Sequence, residues 1–276
     1  MDSKYIIGIV VAIIIIVGAY MIFAGGSNQN TINIAGSTSV QPVAEKLAQA
    51  YMQKNPGVKI NVQGGGTSVG IKSAQDGTAQ IGTASSKPSE NDSQGLVQTQ
   101  IAKDGIVIVV NNNNSLSQLT LDQAKNIFSG NVTQWTQITG ASGSKIDVIT
   151  REDGSGTRDG FQNIVMGGKN GTPILKTAVV QSSTEAIAQA VKGDPNAVGY
   201  ISLASVNGDV KAIKINGVAP SAQTVSDGTY KITRPFIFLT KGQPTGQVKA
   251  FIDWVMSPEG QAIVKQAGAV PVGPTQ

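Results

Sequence analysis

TINIAGSTSVQPVAEKLAQAYMQKNPGVKINVQGGGTSVGIKSAQDGTAQIGT, residues 31–83, carries the pattern that sets the fold class. Thr31–Ala35 alternates apolar and polar residues, as a half-buried strand does. A Gly-Ser-Thr-Ser turn follows. Val43, Leu47 and Tyr51 then recur at helical spacing, and Asn55-Pro56-Gly57 stops the helix. Val58–Val62 starts a second round of strand, turn and short helix, the helix running through Ile71 and Ala74. Ile81–Thr83 is a third strand. Strand, turn and helix in repeated order predict an α/β fold with a largely parallel sheet.

Working outward, Ile106–Val110 is a continuous apolar run, as expected of a strand buried on both faces. The polar run Asn111–Asn114 after it reads as the start of a crossing into a second lobe. Beyond it the pattern predicts helices near 121–128, 159–166 and 184–192, with strands at 145–150 and 198–201. Ile232–Leu239 reads as a return strand. A helix at 247–255 follows, and Ser257-Pro258 then opens a last helix with Pro at its first position. The two strong strands that flank the middle of the chain predict interleaved domains: residues 31–110 plus 231–276 in lobe one, residues 111–230 in lobe two.

Ahead of the first strand stands YIIGIVVAIIIIVGAYMIF, residues 5–23, with no charge. At about 1.5 Å per residue it nearly spans a hydrocarbon core of about 30 Å. It predicts an N-terminal transmembrane helix, with residues 1–30 as membrane anchor and tether. Lys4 weakly favours a cytoplasmic N-terminus, which places the rest outside the cell membrane. A signal peptide cleaved near Ala24-Gly25-Gly26 is the alternative.

Composition removes several chemistries. The 276 residues contain no Cys and no His. That excludes a disulfide framework, a thiol nucleophile, a Ser-His-Asp triad and the commonest metal ligands. No Asp/Glu cluster stands at metal-ligand spacing, so neither a metal nor any other cofactor is expected. The net charge of +4 is scattered. With no basic run or basic-aromatic stripe, nucleic acid is not an expected partner.

Three Ser/Thr-rich turns precede helices: Gly36–Ser39, Gly64–Ser68 and Gly154–Thr157. Helix N-termini offer unpaired N–H groups and a partial positive charge, and Gly allows close approach, so such turns can hold an anion. Each turn alone is weak evidence, since Ser or Thr before a helix is most often only a cap. Gly64–Gly70 lacks the Gly-Lys-Ser/Thr ending of a nucleotide-binding loop. The most informative stretch is Arg151-Glu152-Asp153-Gly154-Ser155-Gly156-Thr157-Arg158. A strand delivers Arg151 to its end, where a guanidinium fork matches an oxyanion, and Asp153 is placed to hold that fork. Arg158, one turn into the helix, is expected to face solvent or an acidic neighbour.

These segments resemble the phosphate-binding receptors of ABC phosphate importers. The matching landmarks are IAGSTSVQPV at 34–43, VQGGGTSVGI at 62–71, IGTASSKP at 81–88, TREDGSGTRDGF at 150–161 and MSPEGQAIVKQAGAVPV at 256–272. The resemblance implies a two-lobed type II periplasmic-binding-protein fold that clamps inorganic phosphate between its lobes and docks on ABC permease subunits. It implies a monomeric receptor and not an enzyme. Thr38, Ser39 and Thr67 would bind the ligand from lobe one, and Arg151, Ser155, Gly156 and Thr157 from lobe two. Ser85 falls where some members carry an Asp that accepts the ligand's proton, which leaves open a receptor for another tetrahedral oxyanion. A surface phosphatase is the reading from a different class, and it would need a nucleophile with a base or a metal cluster.

Overall fold

The computed structural model describes residues 30–141 and 143–273. The apolar stretch Tyr5–Phe23 lies outside the described residues; among those described, no helix is long and apolar enough to cross a membrane. The architecture below is that of the compact unit beginning at Ile32.

The first round is β1 (Thr31–Gly36), α1 (Gln41–Lys54), β2 (Lys59–Gly64), α2 (Thr67–Asp76) and β3 (Ile81–Ala84). Val43, Ala44, Leu47, Ala48 and Tyr51 form the buried stripe of α1, as their spacing requires. The long strand β4 (Leu96–Val110) then leads to β5 (Gln118–Leu119), α3 (Leu121–Ser129), β6 (Asp147–Arg151) and α4 (Gly156–Ile164). Thr120 and Gln123 close α3 with a capping box, and Gly130 at φ 82° ends it. Next come β7 (Val179–Gln181), α5 (Thr184–Gly193), β8 (Ala197–Ser202), β9 (Lys211–Ala212), β10 (Lys214–Ile215) and α6 (Ala222–Ser226). The return strand β11 (Thr233–Lys241) is followed by α7 (Gly246–Met256), α8 (Pro258–Gln266) and β12 (Val270–Pro271).

The main sheet runs β2-β1-β3-β11-β4-β8-β6-β7. Its two ends are parallel as expected: β1 with β3, and β6 with β8 and β7. Its middle is not. β11 is antiparallel to both β3 and β4, and β4 is antiparallel to β8. The expectation of a largely parallel sheet is therefore corrected. β4 gives Ile101 and Ala102 to one core and Ile106, Ile108 and Val110 to another, and β11 runs back beside it as an antiparallel partner.

Two lobes follow from where the apolar side chains gather. One core holds Ile34, Val43, Leu47, Ile81, Phe236, Phe238 and Phe251. The other holds Ile106, Ile108, Val110, Phe128, Trp135, Phe161 and Tyr200. On the far face of the second lobe's sheet, Val107 and Val109 pack with Ile149, Ile187, Val191 and Ile201. Ile106–Val110 is thus buried on both faces, as its unbroken apolar run predicts. Inside the second core Phe161 stacks on Tyr200 at 4.2 Å between ring centres. That pair fixes α4 against β8 and so sets the position of the Gly154–Thr157 turn.

Candidate functional site

The strand ends and helix starts of both lobes meet at one cluster of buried polar groups. From lobe one come Ser37, Ser39, Thr67 and Ser85; from lobe two come Arg151, Ser155, Thr157 and Thr184, all at most 3% exposed. Buried polar side chains are kept where they have partners or work to do.

Local backbone explains why these hydroxyls face the cleft. The cap residue of α1 is Val40, which makes no side-chain cap bond. Ser37 Oγ instead accepts from Ser39 N and Val40 N at 3.3 and 3.4 Å and donates to Ser85 Oγ at 2.8 Å. The cap residue of α2 is Gly66, at φ 93° and again with no side-chain bond. Thr67 Oγ1 is therefore not spent on its own helix, and it accepts from Ser85 N at 3.0 Å. Ser155 differs: its Oγ accepts from Arg158 N at 3.3 Å, so it is a true cap of α4.

Across the cleft the contacts are direct. Ser39 Oγ lies 2.9 Å from Thr157 Oγ1 and 2.8 Å from Thr184 Oγ1. Thr38 Oγ1, at the half-buried rim, accepts from Thr184 N at 3.3 Å. Gly156 is pressed against lobe one so closely that a Cβ there would stand 2.3 Å from Thr67 Oγ1 and 2.7 Å from Ser85 Oγ. Ser68 N donates to Gly154 O at 3.1 Å, tying the two glycine turns together. Beside Thr67 and Ser68 a cleft of about 530 Å³ opens between the lobes, with Lys87 on one wall and Asp159 and Lys169 on the other.

All eight residues singled out from the sequence, Thr38, Ser39, Thr67, Ser85, Arg151, Ser155, Gly156 and Thr157, lie in this one region. The acid that holds Arg151 is a correction. Glu152, not Asp153, grips the guanidinium, with Oε2 2.7 Å from Nε and Oε1 2.7 Å from Nη2. Asp153, 97% exposed, pairs with Arg158 at 3.0 Å instead. The physical reason is burial: Arg151 points inward at 1% exposure, and Asp153, on the outer side of the turn, cannot follow it. The remaining nitrogen, Arg151 Nη1, donates to Thr184 Oγ1 at 3.3 Å.

Sequence reading missed Ser37, Thr184, and the buried pair Asp104 and Arg234. Thr184 had a signal: Ser182-Ser183-Thr184 leads into α5 just as the other three turns lead into their helices. Arg234 had a fainter one, a charge inside an otherwise apolar strand. Its Nε donates to Asp104 Oδ2 at 2.9 Å and its Nη1 donates to Thr157 Oγ1 at 2.7 Å. Burial pushes the Asp104 carboxyl above its ordinary value, opposed by the Arg234 charge and by hydrogen bonds from Ser202, Arg234 and Ala204 N. Burial likewise lowers Arg234, with Asp104 opposing it; a guanidinium keeps its proton regardless.

Chemically the cluster is a set of hydroxyl and amide donors between two guanidinium groups, each already balanced by a carboxylate. It offers donors to a compact, acceptor-rich anion. No hydroxyl in it has a neighbouring imidazole or free carboxylate to act as a base.

Comparison with known proteins gives the same direction. The family model described as the PBP superfamily domain matches residues 23–259. The phosphate-binding protein PstS of Bacillus subtilis is 31% identical over 247 residues, covering 88% of this chain and 81% of its own. Among solved structures, a Clostridium perfringens protein described as a phosphate ABC transporter substrate-binding protein, with bound phosphate, is 40% identical at a TM-score of 0.84. That match covers 88% of this chain and 100% of the other. An ABC-type phosphate transport receptor from Vibrio cholerae is 34% identical at a TM-score of 0.71, covering 87% and 99%.

Proposed function

Because the chain belongs to the PBP superfamily and, within it, to the family of phosphate-binding receptors of ABC transporters, we propose that it binds inorganic phosphate between its lobes and hands it to an ABC permease. It is a binding protein and not an enzyme. The observation that carries this reading is the meeting of Ser39, Thr157 and Thr184 hydroxyls from opposite lobes at 2.8–2.9 Å, with a guanidinium behind each threonine.

In this reading Thr38, Ser39, Thr67 and Ser85 hold the ligand from lobe one, and Arg151, Ser155, Gly156 and Thr157 from lobe two. Ser155 spends its hydroxyl oxygen as a cap, so it contributes through its O–H and its place in the turn. A phosphate between the lobes takes over the hydrogen bonds that the hydroxyls make with one another. Neutral hydrogen bonds contribute about 0.5–1.5 kcal/mol each and charge-assisted ones about 1.5–3. A micromolar constant needs about 8 kcal/mol, which roughly ten donors, one of them the Arg151 Nη1 group, supply. The lobes are 31–105 with 233–276, and 106–232, shifted from the expected bounds of 31–110 with 231–276 and 111–230 because Ile106–Val110 and Ile232 pack in the second lobe's cores. They close on the ligand by relative motion about the β4–β11 crossing.

The uncharged stretch at residues 5–23 supports a single-pass anchor that keeps a monomeric receptor at the outer face of the membrane beside its permease. Fractionation with a carbonate wash tests it; mature protein released with its N-terminus after Gly26 overturns the anchor.

The second reading, a receptor for another tetrahedral oxyanion, is favoured by one feature. Ser85, not a carboxylate, stands beside Thr67 at the base of the cleft, and a fully ionised anion needs donors alone. Calorimetric titration of the full chain with phosphate, sulfate, molybdate and tungstate separates the two. Tightest binding of phosphate upholds the first reading, and tightest binding of another anion upholds the second.

A further inference from the structure

The site contains a second guanidinium, and its surroundings repeat those of the first. Arg234 stands on β11 directly opposite Asp104 on β4, where the two crossing strands pair. Asp104 Oδ2 accepts from Arg234 Nε at 2.9 Å, while its Oδ1 accepts from Ser202 Oγ at 2.8 Å. Nη2 also lies 2.9 Å from Oδ2 but is not aligned to donate to it, and it has no other partner. Nη1 points away from the acid. It donates to Thr157 Oγ1 at 2.7 Å and reaches Ser85 O at 3.5 Å. On the other side of the cluster Arg151 is gripped by Glu152 and spends its Nη1 on Thr184 Oγ1 at 3.3 Å. Both threonines then converge on Ser39 Oγ.

A threonine hydroxyl has one hydrogen and two lone pairs. A guanidinium N–H takes one lone pair with a charge-assisted bond, so the oxygen is an acceptor on that side. Its single hydrogen is left for the opposite side. For Thr157 the opposite side is the cleft, where Ser39 lies. A buried ion pair contributes little to stability when an apolar pair could fill the same space, so burying Asp104 and Arg234 behind a hydroxyl has its use in orientation.

We propose that Arg234, held by Asp104, is a positioning residue of the anion site: it turns the Thr157 O–H toward the bound oxyanion. The proposal rests on the phosphate-receptor reading. It differs from a purely structural role because its effect on binding passes through Thr157.

The test is a double-mutant cycle read by calorimetry with inorganic phosphate on the full chain. Arg234→Met with Asp104→Leu removes both charges together and keeps the packing, so that no unpaired charge is buried. The paired replacement is expected to bind phosphate about tenfold more weakly. Thr157→Val alone is expected to lose a similar factor, and the two changes combined to lose no more than either. Arg234→Lys is the second probe. An ammonium cannot grip Asp104 and reach Thr157 at once, so it is expected to weaken binding only while Thr157 is present. Wild-type-like binding by the paired replacement, or losses that multiply in the combined variant, overturns the proposal. If the paired replacement does not fold, the Arg234→Lys cycle decides in the same terms. A wild-type chain that does not bind phosphate overturns the receptor reading itself, before any variant is compared.

Discussion

Glu152 holds the Arg151 guanidinium by two parallel bonds, one to Nε and one to Nη2, each 2.7 Å long. The acid comes from the next residue in the chain, so the fork is set before any ligand arrives. Only Nη1 is left to face the hydroxyl cluster. Arg151→Ala is therefore expected to weaken phosphate binding about ten- to hundredfold, the size of one charge-assisted contact. Glu152→Gln leaves the charge but loosens its aim, and should lose about a third to a half as much on a logarithmic scale. Arg158, paired with the exposed Asp153, should change affinity only a few-fold when replaced by Ala. Calorimetry on the three variants gives the order; Arg158→Ala weaker than Arg151→Ala would reverse the assignment.

Gly156 is packed closely against lobe one. A methyl group there would overlap Thr67 Oγ1 at 2.3 Å, Ser85 Oγ at 2.7 Å and the Ser85 backbone carbonyl carbon at 2.9 Å; the hydroxyls can turn aside, but the backbone contact requires the two turns to move apart. Gly156→Ala should keep a ligand-free melting temperature close to the parent, since the position lies in the first turn of α4, where Ala is a good helix former. Its phosphate affinity should fall by tenfold or more, on the order of 1.4 kcal/mol. Small-angle scattering should show a larger radius with phosphate than the parent shows. A compact, tight-binding Gly156→Ala refutes the closed contact.

Asp159 gives a pH signature. Loss of water around its carboxyl raises its pKa above the ordinary value; the Ser86 hydrogen bond and the Arg158 charge oppose the rise, and Asp153 adds to it. In the folded protein the group therefore holds its proton to higher pH than in the unfolded chain. Its contribution to stability is complete below the ordinary aspartate range and is lost as pH rises through the raised value. The effect is small because the side chain still meets solvent. Asp159→Asn should flatten this part of the melting-temperature profile across the acid range. A parent profile that rises with pH relative to the variant contradicts the sign.

Asp104 and Arg234 are buried together, at 0% and 5% exposure. Removing one alone leaves an uncompensated charge. Asp104→Ala is expected to cost about 3–5 kcal/mol of folding stability, measured by urea denaturation. The joint replacement by apolar residues should cost far less. Equal losses for the single and joint changes would mean that the charges do not depend on each other.

Much of the fold could be read because its elements were apolar in a period. Ile106–Val110 announced itself, and the stripe of Val43, Leu47 and Tyr51 marked α1. The first two-thirds of β4, Leu96–Gly105, escaped because it mixes Gln, Thr, Lys and Asp with few apolar residues; pairing with β11 makes it a strand. The start of α4 was set too late because Gly156 and Thr157 are poor helix formers, whereas the Ser155 cap draws them in. In the site, Arg151 was legible from its place between a strand and a glycine turn. Arg234 was not, since its role depends on Asp104, far away in the chain and brought opposite only by the crossing of β4 and β11.

That crossing also orders how the protein can be made. The first core needs Ile32 and Ile34 together with Phe251, Val255 and Val264, so it cannot close until nearly the whole chain has left the ribosome. The second lobe's two cores draw on residues from Ile106 to Ile232, plus Val270 alone from beyond. Long loops must be closed before such distant contacts form, which makes the step slow. The middle of the chain can condense early during synthesis. The two ends, whose apolar strands β1 and β11 are both needed for the remaining core, stay exposed until last and are the segments a chaperone would have to guard.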